Sequence, residues 1–342
     1  MNRKHLAAGA LVLLAVAAGW SWMAFISLAD RPLSVAEPRV YMVESGSSIK
    51  AVARDLASDG VVPSARHFEW LARLRGDAHR IHAGEYPLNP GTTVGTFIDR
   101  LLDGRVVRYQ FTLVEGWNTL QMLQALHDHP ELEATLPPDD RDAVMPAIGE
   151  PERHPEGRFL PDTYSFTRGA TDIDILKRAR AAMREARATI WAARQPDLPL
   201  EDPEEMVILA SIIEKETGLP SEREAIAGVF TRRLEKGMRL QTDPTILYGL
   251  LGTDFDGRIR YRHLRDSDNP YNTYRHHGLP PTPIAMPGRD ALRAAVNPEE
   301  GDALYFVSRN DGSHHFSATL EEHNRAVAIY QLGRDPEEVE AP

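Results

Sequence analysis

The most continuous hydrophobic pattern in this 342-residue chain is an uncharged run over residues 6–28. A run of this length can cross a hydrocarbon core of about 30 Å as a helix. Arg3 and Lys4 precede it, so the positive-inside rule places residues 1–5 in the cytoplasm and everything after the run outside. We therefore expect a retained single-pass anchor in the cell (inner) membrane. A cleaved signal peptide is the alternative, although its apolar core usually spans only about 7–15 residues.

A small unit with mixed periodicity follows a short, proline-bearing linker at residues 29–38. Alternating positions predict strands, apolar residues spaced three and four apart predict helices, and the turn at residues 46–48 predicts the cap of the first helix. The predicted strands cover residues 39–43, 81–88 and 106–113, and the predicted helices begin near Ile49, Ser64 and Val94. Residues 39–113 are therefore predicted to form a small α+β subdomain.

The larger part of the chain, residues 114–330, mixes helical periodicity with polar, loop-forming segments and is predicted to be a mixed α+β domain. Residues 176–194 have the pattern of an amphipathic helix whose arginines we expect on a solvated face. Residues 221–224 predict a capping box that opens a later helix. Residues 331–342 are predicted to be a flexible acidic tail. The expected fold class is α+β with an N-terminal transmembrane helix.

The composition excludes several classes of protein. The net charge is −11, with acids and bases interspersed, which argues against a nucleic-acid-binding protein. The absence of cysteine excludes a thiolate nucleophile and a zinc–thiolate site. The histidines occur as adjacent pairs, at 276–277 and 314–315, and not at the i, i+4 spacing of a helical metal site. We predict no metal and no cofactor.

The most informative chemistry lies at the end of a buried helix. Asp202 followed by Pro203 predicts the helix start, and the apolar residues 207–213 predict a helix that is buried nearly all round. A glutamate held among aliphatic side chains is harder to ionise, so we expect a raised pKa. A carboxylic acid that is protonated near neutral pH can donate a proton to a leaving oxygen, as cleavage of a glycosidic bond requires. Spacing alone does not decide between Glu214 and Glu216, which point in nearly opposite directions.

Downstream segments combine amides, hydroxyls, aromatic rings and prolines. Such residues suit a sugar-binding groove, because rings stack on pyranose faces and amides bond to hydroxyl and N-acetyl groups. Ordinary loop structure is the alternative, since the same residues dominate turns. The segments are residues 239–245, 269–274, 278–284 and 297–298.

Taken together, these segments resemble the endolytic murein transglycosylases of the YceG-like (MltG) family over about residues 40–330. The most specific matches are Ala210–Thr217 and Gly237–Thr245. Support comes from residues 156–157, 161–164, 269–274 and 281–284, and from His314, Phe316, His323 and Asn324. One departure is Ser313, which stands where the family has the second of two glycines.

The resemblance implies that Glu214, the first acid of Glu-Lys-Glu-Thr, is the catalytic residue. It also implies that residues 39–113 are a LysM-like subdomain that binds glycan chains containing N-acetylglucosamine. The further candidates for substrate binding are Ser211, Glu216, Arg239, Gln241, Thr242, Asp243, Asn272, Tyr274 and His314.

The implied reaction is cleavage of the β-1,4 bond between N-acetylmuramic acid and N-acetylglucosamine in a nascent peptidoglycan strand. Glu214 would protonate the bridging oxygen and then accept the proton of the muramoyl C6 hydroxyl, so that a 1,6-anhydro end forms without water. One alternative is a muramidase that uses Glu214, Asp243 and water. The other is a non-catalytic glycan-binding scaffold for cell-wall synthases. Penicillin-binding proteins are the partners that the family suggests.

Overall fold

The structure is a computed structural model that describes residues 22–76, 81–251 and 257–335, together with residues 13, 15–17, 19 and 20. Within this described part, no helix has both the length and the apolar character needed to cross a membrane. Of the predicted anchor, residues 6–12, 14, 18 and 21 lie outside the described residues, as do the predicted cytoplasmic tip and residues 336–342 of the predicted tail. The anchor stays a prediction.

The chain contains six short strands and twelve α-helices within the described residues. The strands are β1 (Arg39–Val43), β2 (Gly84–Leu88), β3 (Tyr109–Thr112), β4 (Thr163–Phe166), β5 (Tyr305–Ser308) and β6 (His314–Ser317). The helices are α1 (Ile49–Ser58), α2 (Ala65–Arg75), α3 (Val94–Asp103), α4 (Thr119–His127), α5 (Val144–Ala147), α6 (Asp172–Ala192), α7 (Pro203–Glu216), α8 (Arg223–Glu235), α9 (Asp243–Gly249), α10 (Tyr261–Leu264), α11 (Arg289–Val296) and α12 (Leu320–Tyr330). Short 3-10 helices lie at Ser27–Asp30, Arg141–Ala143 and Pro220–Glu222.

The strands pair two by two, as β1–β2, β3–β4 and β5–β6. The described chain divides into two compact units. One contains Met1–Tyr109 with Ser165–Gly169, and the other contains Gln110–Tyr164 with Ala170–Pro342. The mixture of helices and strands agrees with the predicted α+β class.

In the first unit, each of the three helices begins after a residue whose side chain caps it, and the cap of the first helix is the predicted one. The side chains of Ser48, Ser64 and Thr93 each accept a hydrogen bond from the backbone N–H three residues on, at the starts of α1, α2 and α3. β1 and β2 pair antiparallel, with Tyr41 opposite Tyr86, and the buried Tyr86 ring meets the edge of the Phe97 ring. The predicted strand–helix–helix–strand order is therefore present.

Two details of this unit differ from the sequence prediction. Residues 29–38, expected to be a linker, pack onto the unit: Ala29 and Leu33 are buried, and the Leu33 N–H donates to the Thr92 carbonyl at 2.7 Å. The predicted strand 81–88 begins only at Gly84. Gly84 has a φ of 135°, and a Cβ atom there would lie 2.7 Å from a methyl carbon of Val106, so the close approach requires glycine.

The second unit is organised around α7, which packs against α6, α8, α9 and α11. The side chain of Asp202 accepts hydrogen bonds from the N–H groups of Glu204 and Glu205, and Pro203 occupies the first turn. Residues 206–213 are all buried. The prediction of a buried helix that begins after Asp202 is confirmed, because an apolar surface all round must be covered by neighbouring elements.

The predicted capping box at residues 221–224 is wrong. Ser221 lies within the 3-10 helix Pro220–Glu222, and α8 begins at Arg223 after Glu222, whose side chain forms no capping hydrogen bond. The Glu222 carboxylate instead accepts the backbone N–H of His314 at 2.8 Å and lies 2.7 Å from the His314 Nδ1 atom. Glu222 therefore bonds to His314, which is distant in sequence, and not to the backbone at the start of α8.

Two arginines of α6 depart from the expected solvated face, whereas Arg178 and Arg184 are exposed as predicted. Arg180 is buried and pairs with Glu150 at 2.8 Å. Arg187 pairs with Glu204 at 2.9 Å, in the first turn of α7. These ion pairs lie between elements, so the helical pattern alone could not indicate them.

Candidate active site

Glu214 lies in the last turn of α7, where its carboxylate meets two groups that favour negative charge. Its side chain is 6% exposed, and its Oε1 atom lies 3.3 Å from Nη2 of Arg223. The N–H of Gly288 donates to Oε2 at 2.9 Å. Gly288 is the N-cap residue of α11, and a helix N-terminus carries a partial positive charge. Burial is as the sequence predicts, but the carboxylate itself contacts a guanidinium and an amide rather than only aliphatic groups.

Arg223 gathers further carboxylates around Glu214. Its Nη2 atom lies 3.7 Å from Oε2 of Glu115, and its Nη1 atom lies 4.0 Å from Oδ2 of Asp290. Burial raises the pKa of Glu115, and the charges of Glu214 and Asp290 raise it further, while Arg223 opposes the shift. One buried guanidinium therefore lies near three carboxylates, and the net effect on Glu115 is a pKa above its ordinary value.

Glu115 is a site residue that sequence reasoning missed. Its loop lies against the end of α7, because the Lys215 Nζ atom donates to the Gly116 carbonyl at 3.2 Å. A Cβ atom on Gly288 would lie 1.8 Å from Oε1 of Glu115, so the carboxyl group of Glu115 occupies the space that a side chain at position 288 would fill. The only signal in the sequence is an acid before a glycine in a loop, which does not indicate its partner.

Glu216 faces different surroundings from those of Glu214. Within the described part of the chain it lines a cleft of about 570 Å³, together with Gln241, Thr242, Asp243 and Tyr274. The aromatic side chains of Tyr305 and Phe306 complete one wall. Glu214 is not among the residues that line this cleft. The two acids therefore lie on different sides of the end of α7, as a separation of two helical positions predicts.

A chain of hydrogen bonds orders the polar side of this cleft. The Thr242 hydroxyl donates to Oε1 of Glu216, and the Tyr274 hydroxyl donates to Oδ1 of Asp243 at 2.8 Å. Burial raises the pKa of Glu216 to about 7; the Thr242 hydrogen bond opposes this shift, and the charge of Asp243 adds to it. Glu216 thus changes its protonation state near neutral pH.

Arg233 holds the loop that forms one edge of the cleft. Its guanidinium donates to the carbonyls of Leu240 at 2.8 Å and Leu304 at 2.6 Å, and it lies over the Tyr305 ring. Gln241, which follows Leu240, has a φ of 51°. A left-handed conformation at a non-glycine residue costs about 1 kcal/mol or more and is often found at functional sites.

Other predicted site residues have structural contacts. Ser211 is fully buried, and its hydroxyl donates to the Ile208 carbonyl and accepts the Ile284 N–H. Asn272 is also fully buried, and its side-chain amide donates to the carbonyl of His263 at 2.9 Å. Ser211 thus connects α7 to the loop at Ile284, and Asn272 connects its own loop to α10.

The last two predicted site residues, His314 and Arg239, form hydrogen bonds with Glu222 and Arg233. His314 bonds to Glu222, as described above, and its ring lies edge-on to the Phe306 ring. The Arg239 carbonyl accepts a hydrogen bond from Arg233. Among the residues that the structure describes, no group of three or more His, Asp or Glu side chains could hold a metal ion.

The model of the YceG-like family matches residues 41–329. The chain belongs to the YceG-like family. The match contains both glutamates of α7, the loops at Glu115 and Gly288, and all the residues of the cleft except Gln331.

Curated relatives and a solved structure of this family are similar over most of the chain. An endolytic murein transglycosylase of Bacillus subtilis (strain 168) is 32% identical over 305 residues, which cover 84% of this chain and 83% of that protein. An endolytic murein transglycosylase of Streptococcus pneumoniae serotype 2 is 25% identical over 362 residues, covering 93% of this chain but 64% of that protein. A 2.6 Å crystal structure of a YceG-like protein from Listeria monocytogenes matches with a TM-score of 0.52 and 30% identity, covering 85% of this chain and 99% of that one.

Proposed function

We propose that this YceG-like protein is an endolytic lytic transglycosylase of peptidoglycan. It cleaves nascent glycan strands between N-acetylmuramic acid and N-acetylglucosamine, leaves 1,6-anhydro ends and so terminates strand elongation. The names of the Bacillus and Streptococcus relatives support this activity. The observation that carries the proposal is the Glu214 carboxylate, buried at the end of α7 between Arg223 and the N-terminus of α11.

The reaction needs one proton delivered to the bridging oxygen and one removed from the muramoyl C6 hydroxyl. Glu214 is the carboxyl group that exchanges a proton with the sugar. Its contacts with Arg223 and the Gly288 N–H hold the carboxyl group in one position, and proton transfer requires such a fixed position within hydrogen-bond reach of the sugar oxygens. As that oxygen attacks C1, the anhydro ring closes and no water is consumed.

The cleft beside Glu216 is assigned to glycan binding next to the scissile bond. Its size of about 570 Å³ falls in the range of ligand sites. The ring of Tyr274 supplies a face for a pyranose ring, and Gln241 and Asp243 supply polar groups for hydroxyl and N-acetyl groups. Neutral sugars require this combination of apolar faces and hydrogen-bonding groups.

The location and partners form part of the same proposal. The uncharged run at residues 6–28 anchors the protein in the cell (inner) membrane, with the N-terminus in the cytoplasm and the enzyme outside. The strand–helix–helix–strand order of residues 39–88 supports a LysM-like module that holds glycan strands. Cell-wall synthases such as penicillin-binding proteins are the protein partners.

Digestion of nascent glycan by the full-length protein in detergent tests the activity. Mass spectrometry should find 1,6-anhydro ends, which are one water lighter than reducing ends, and Glu214→Gln should produce none. Reducing ends in the wild-type digest would instead identify a muramidase. If Glu214→Gln still complements a deletion strain, the protein acts as a scaffold.

A further inference from the structure

An exposed stripe of large side chains runs along α2 in the first unit. Trp70 and Leu74 are 53% and 52% exposed, although the same helix packs Phe68 and Leu71 into the core of the unit. His67 is exposed as well. Because residues 67, 70 and 74 are spaced three and four apart, they share one face of the helix, and we call them the α2 stripe. A contiguous group of exposed apolar side chains indicates an interaction surface.

The end of the uncharged N-terminal run lies against this stripe. The Phe25 ring meets the His67 ring edge-on, with their centroids 5.9 Å apart. The Trp22 ring stacks on Phe25 at 6.2 Å, and Phe25 and Leu28 pack against the core of the first unit. The aromatic surface is therefore continuous from the end of the run to α2.

Hydrogen bonds fix the segment that follows the run. The Val94 N–H donates to the Arg31 carbonyl at 2.9 Å, and the Ser34 N–H donates to the Val61 carbonyl at 2.9 Å. Residues 29–34 are thus attached to the first unit along their length. The end of the run keeps its position relative to α2, because no free tether separates them.

The length of the run determines how far α2 lies from lipid. Phe25 is the twentieth residue of the run that begins at residue 6, and twenty helical residues span about 30 Å, the thickness of a hydrocarbon core. In the proposed anchor, Phe25 therefore lies at the outer boundary of that core. The headgroup region adds about 5–7 Å on each side, which matches the 5.9 Å between the Phe25 and His67 rings.

The chemistry of α2 suits this location. Tryptophan is enriched where membrane meets water, because its ring is amphipathic. The helix contains three arginines and one glutamate, whereas the whole chain has a net charge of −11. Arg66 and Arg73 are exposed beside Trp70, and Arg73 also pairs with Glu69 at 2.6 Å. Cationic side chains that flank exposed apolar ones favour anionic lipid headgroups.

We propose that the α2 stripe inserts into the headgroup region of an anionic phospholipid membrane. This inference rests on the membrane anchor of the proposed function. The stripe gives the first unit a second contact with the bilayer besides the anchor, so the unit is held in one orientation at the membrane surface.

The opposite face of the unit offers a matched control. The rings of Tyr41 in β1 and Phe68 in α2 both meet the Phe97 ring of α3, so the helices cover the face of β1 that carries Tyr41. Neighbouring residues of a strand point to opposite faces. Val40 therefore points away from the helices, and its exposure of 53% equals that of the stripe residues.

A spin label at each position tests the proposal. The chain has no cysteine, so Leu74→Cys and Val40→Cys each give the full-length protein one labelling site. In vesicles of phosphatidylcholine and phosphatidylglycerol, the nitroxide at position 74 should collide mainly with oxygen, which concentrates in lipid. The nitroxide at position 40 should collide mainly with a nickel chelate, which stays in water.

Two changes should move the label at position 74 into water. One is Trp70→Gln, which removes the largest apolar side chain of the stripe, and its control is Met42→Gln, at an exposed apolar residue of β1, which should leave the label in lipid. The other is a vesicle of phosphatidylcholine alone, which removes the attraction for the arginines.

The other outcomes assign the stripe to something else. Equal nickel accessibility at positions 74 and 40 would overturn the proposal. So would spin–spin broadening between labels at position 74, which indicates a second copy of the chain, or immobilisation of the label only by added glycan. Failure of the full-length protein to float with vesicles would overturn the anchor itself, whereas 1,6-anhydro ends formed in detergent test the enzymatic activity separately.

Discussion

The guanidinium of Arg223 and the carboxylate of Glu214, 3.3 Å apart, join the first residue of α8 to the last turn of α7. Both side chains are largely buried, at 11% and 6% exposure. A buried acid needs such a partner, because an unpaired charge in a poorly hydrated site is costly. The pair thus holds the proposed catalytic carboxylate in place.

Removal of Arg223 should cost both stability and activity. In Arg223→Met, Glu214 loses its cation, so we expect the free energy of unfolding to fall by roughly 3 kcal/mol, as when one partner of a buried pair is removed. Arg223→Lys should recover part of the loss. Urea unfolding followed by tryptophan fluorescence measures the effect, with the exposed Arg275→Met as control. An unchanged midpoint for Arg223→Met would contradict the ion pair.

The two glutamates of α7 should respond differently to the same substitution. Glu214→Gln should lower kcat by about 10³-fold, because proton transfer is lost. Glu216→Gln should leave kcat within a few-fold and remove a change in KM near pH 7, since the pKa of Glu216 is raised to about 7. Steady-state kinetics between pH 5 and 9 separate the two. The reverse pattern would make Glu216 the catalytic residue.

The cleft residues should affect binding more than turnover. The Tyr274 hydroxyl donates to Asp243 at 2.8 Å, and both residues line the cleft. Tyr274→Phe and Asp243→Asn should raise KM for glycan by about tenfold, equivalent to about 1.4 kcal/mol, with little change in kcat. A collapse of kcat in Asp243→Asn would instead support the muramidase alternative, in which Asp243 is the base.

Glu156 should make stability depend on pH. It is fully buried in the second unit, where it accepts hydrogen bonds from the Thr119 N–H and the Tyr248 hydroxyl, and burial raises its pKa to about 7. Between about pH 4.5 and 7 the folded protein holds this proton and the unfolded chain releases it, so its contribution to stability is lost as the pH rises through this window.

Glu156→Gln removes that titration. The difference in unfolding free energy between wild type and Glu156→Gln should shift against the wild type by up to about 1.4 kcal/mol per pH unit across the window. Urea midpoints at pH 5, 6, 7 and 8 measure it. A difference that does not vary with pH would show that Glu156 titrates normally.

Much of the first unit could be predicted because its signals are local. The helix starts after Ser48, Ser64 and Thr93 depend on hydrogen bonds that span three residues. The prediction of a capping box at residues 221–224 was wrong because Glu222 bonds to His314. This partner is distant in sequence, so no local pattern indicates it. The expected linker packs onto the unit for a similar reason, since Leu33 bonds to Thr92.

The amino-acid order alone determined α7: Asp202 and Pro203 start it, and its apolar residues require burial on every side. It also placed Glu214 and Glu216 on different sides of the last turn, because helical geometry sets that angle. Only the tertiary structure decided what each acid meets. Glu115, Arg223 and Gly288 come from separate segments that long-range packing brings to Glu214, and the cleft of Thr242, Asp243 and Tyr274 closes around Glu216. Charge and access at a carboxyl group depend on such neighbours, so they emerge only when the chain is folded.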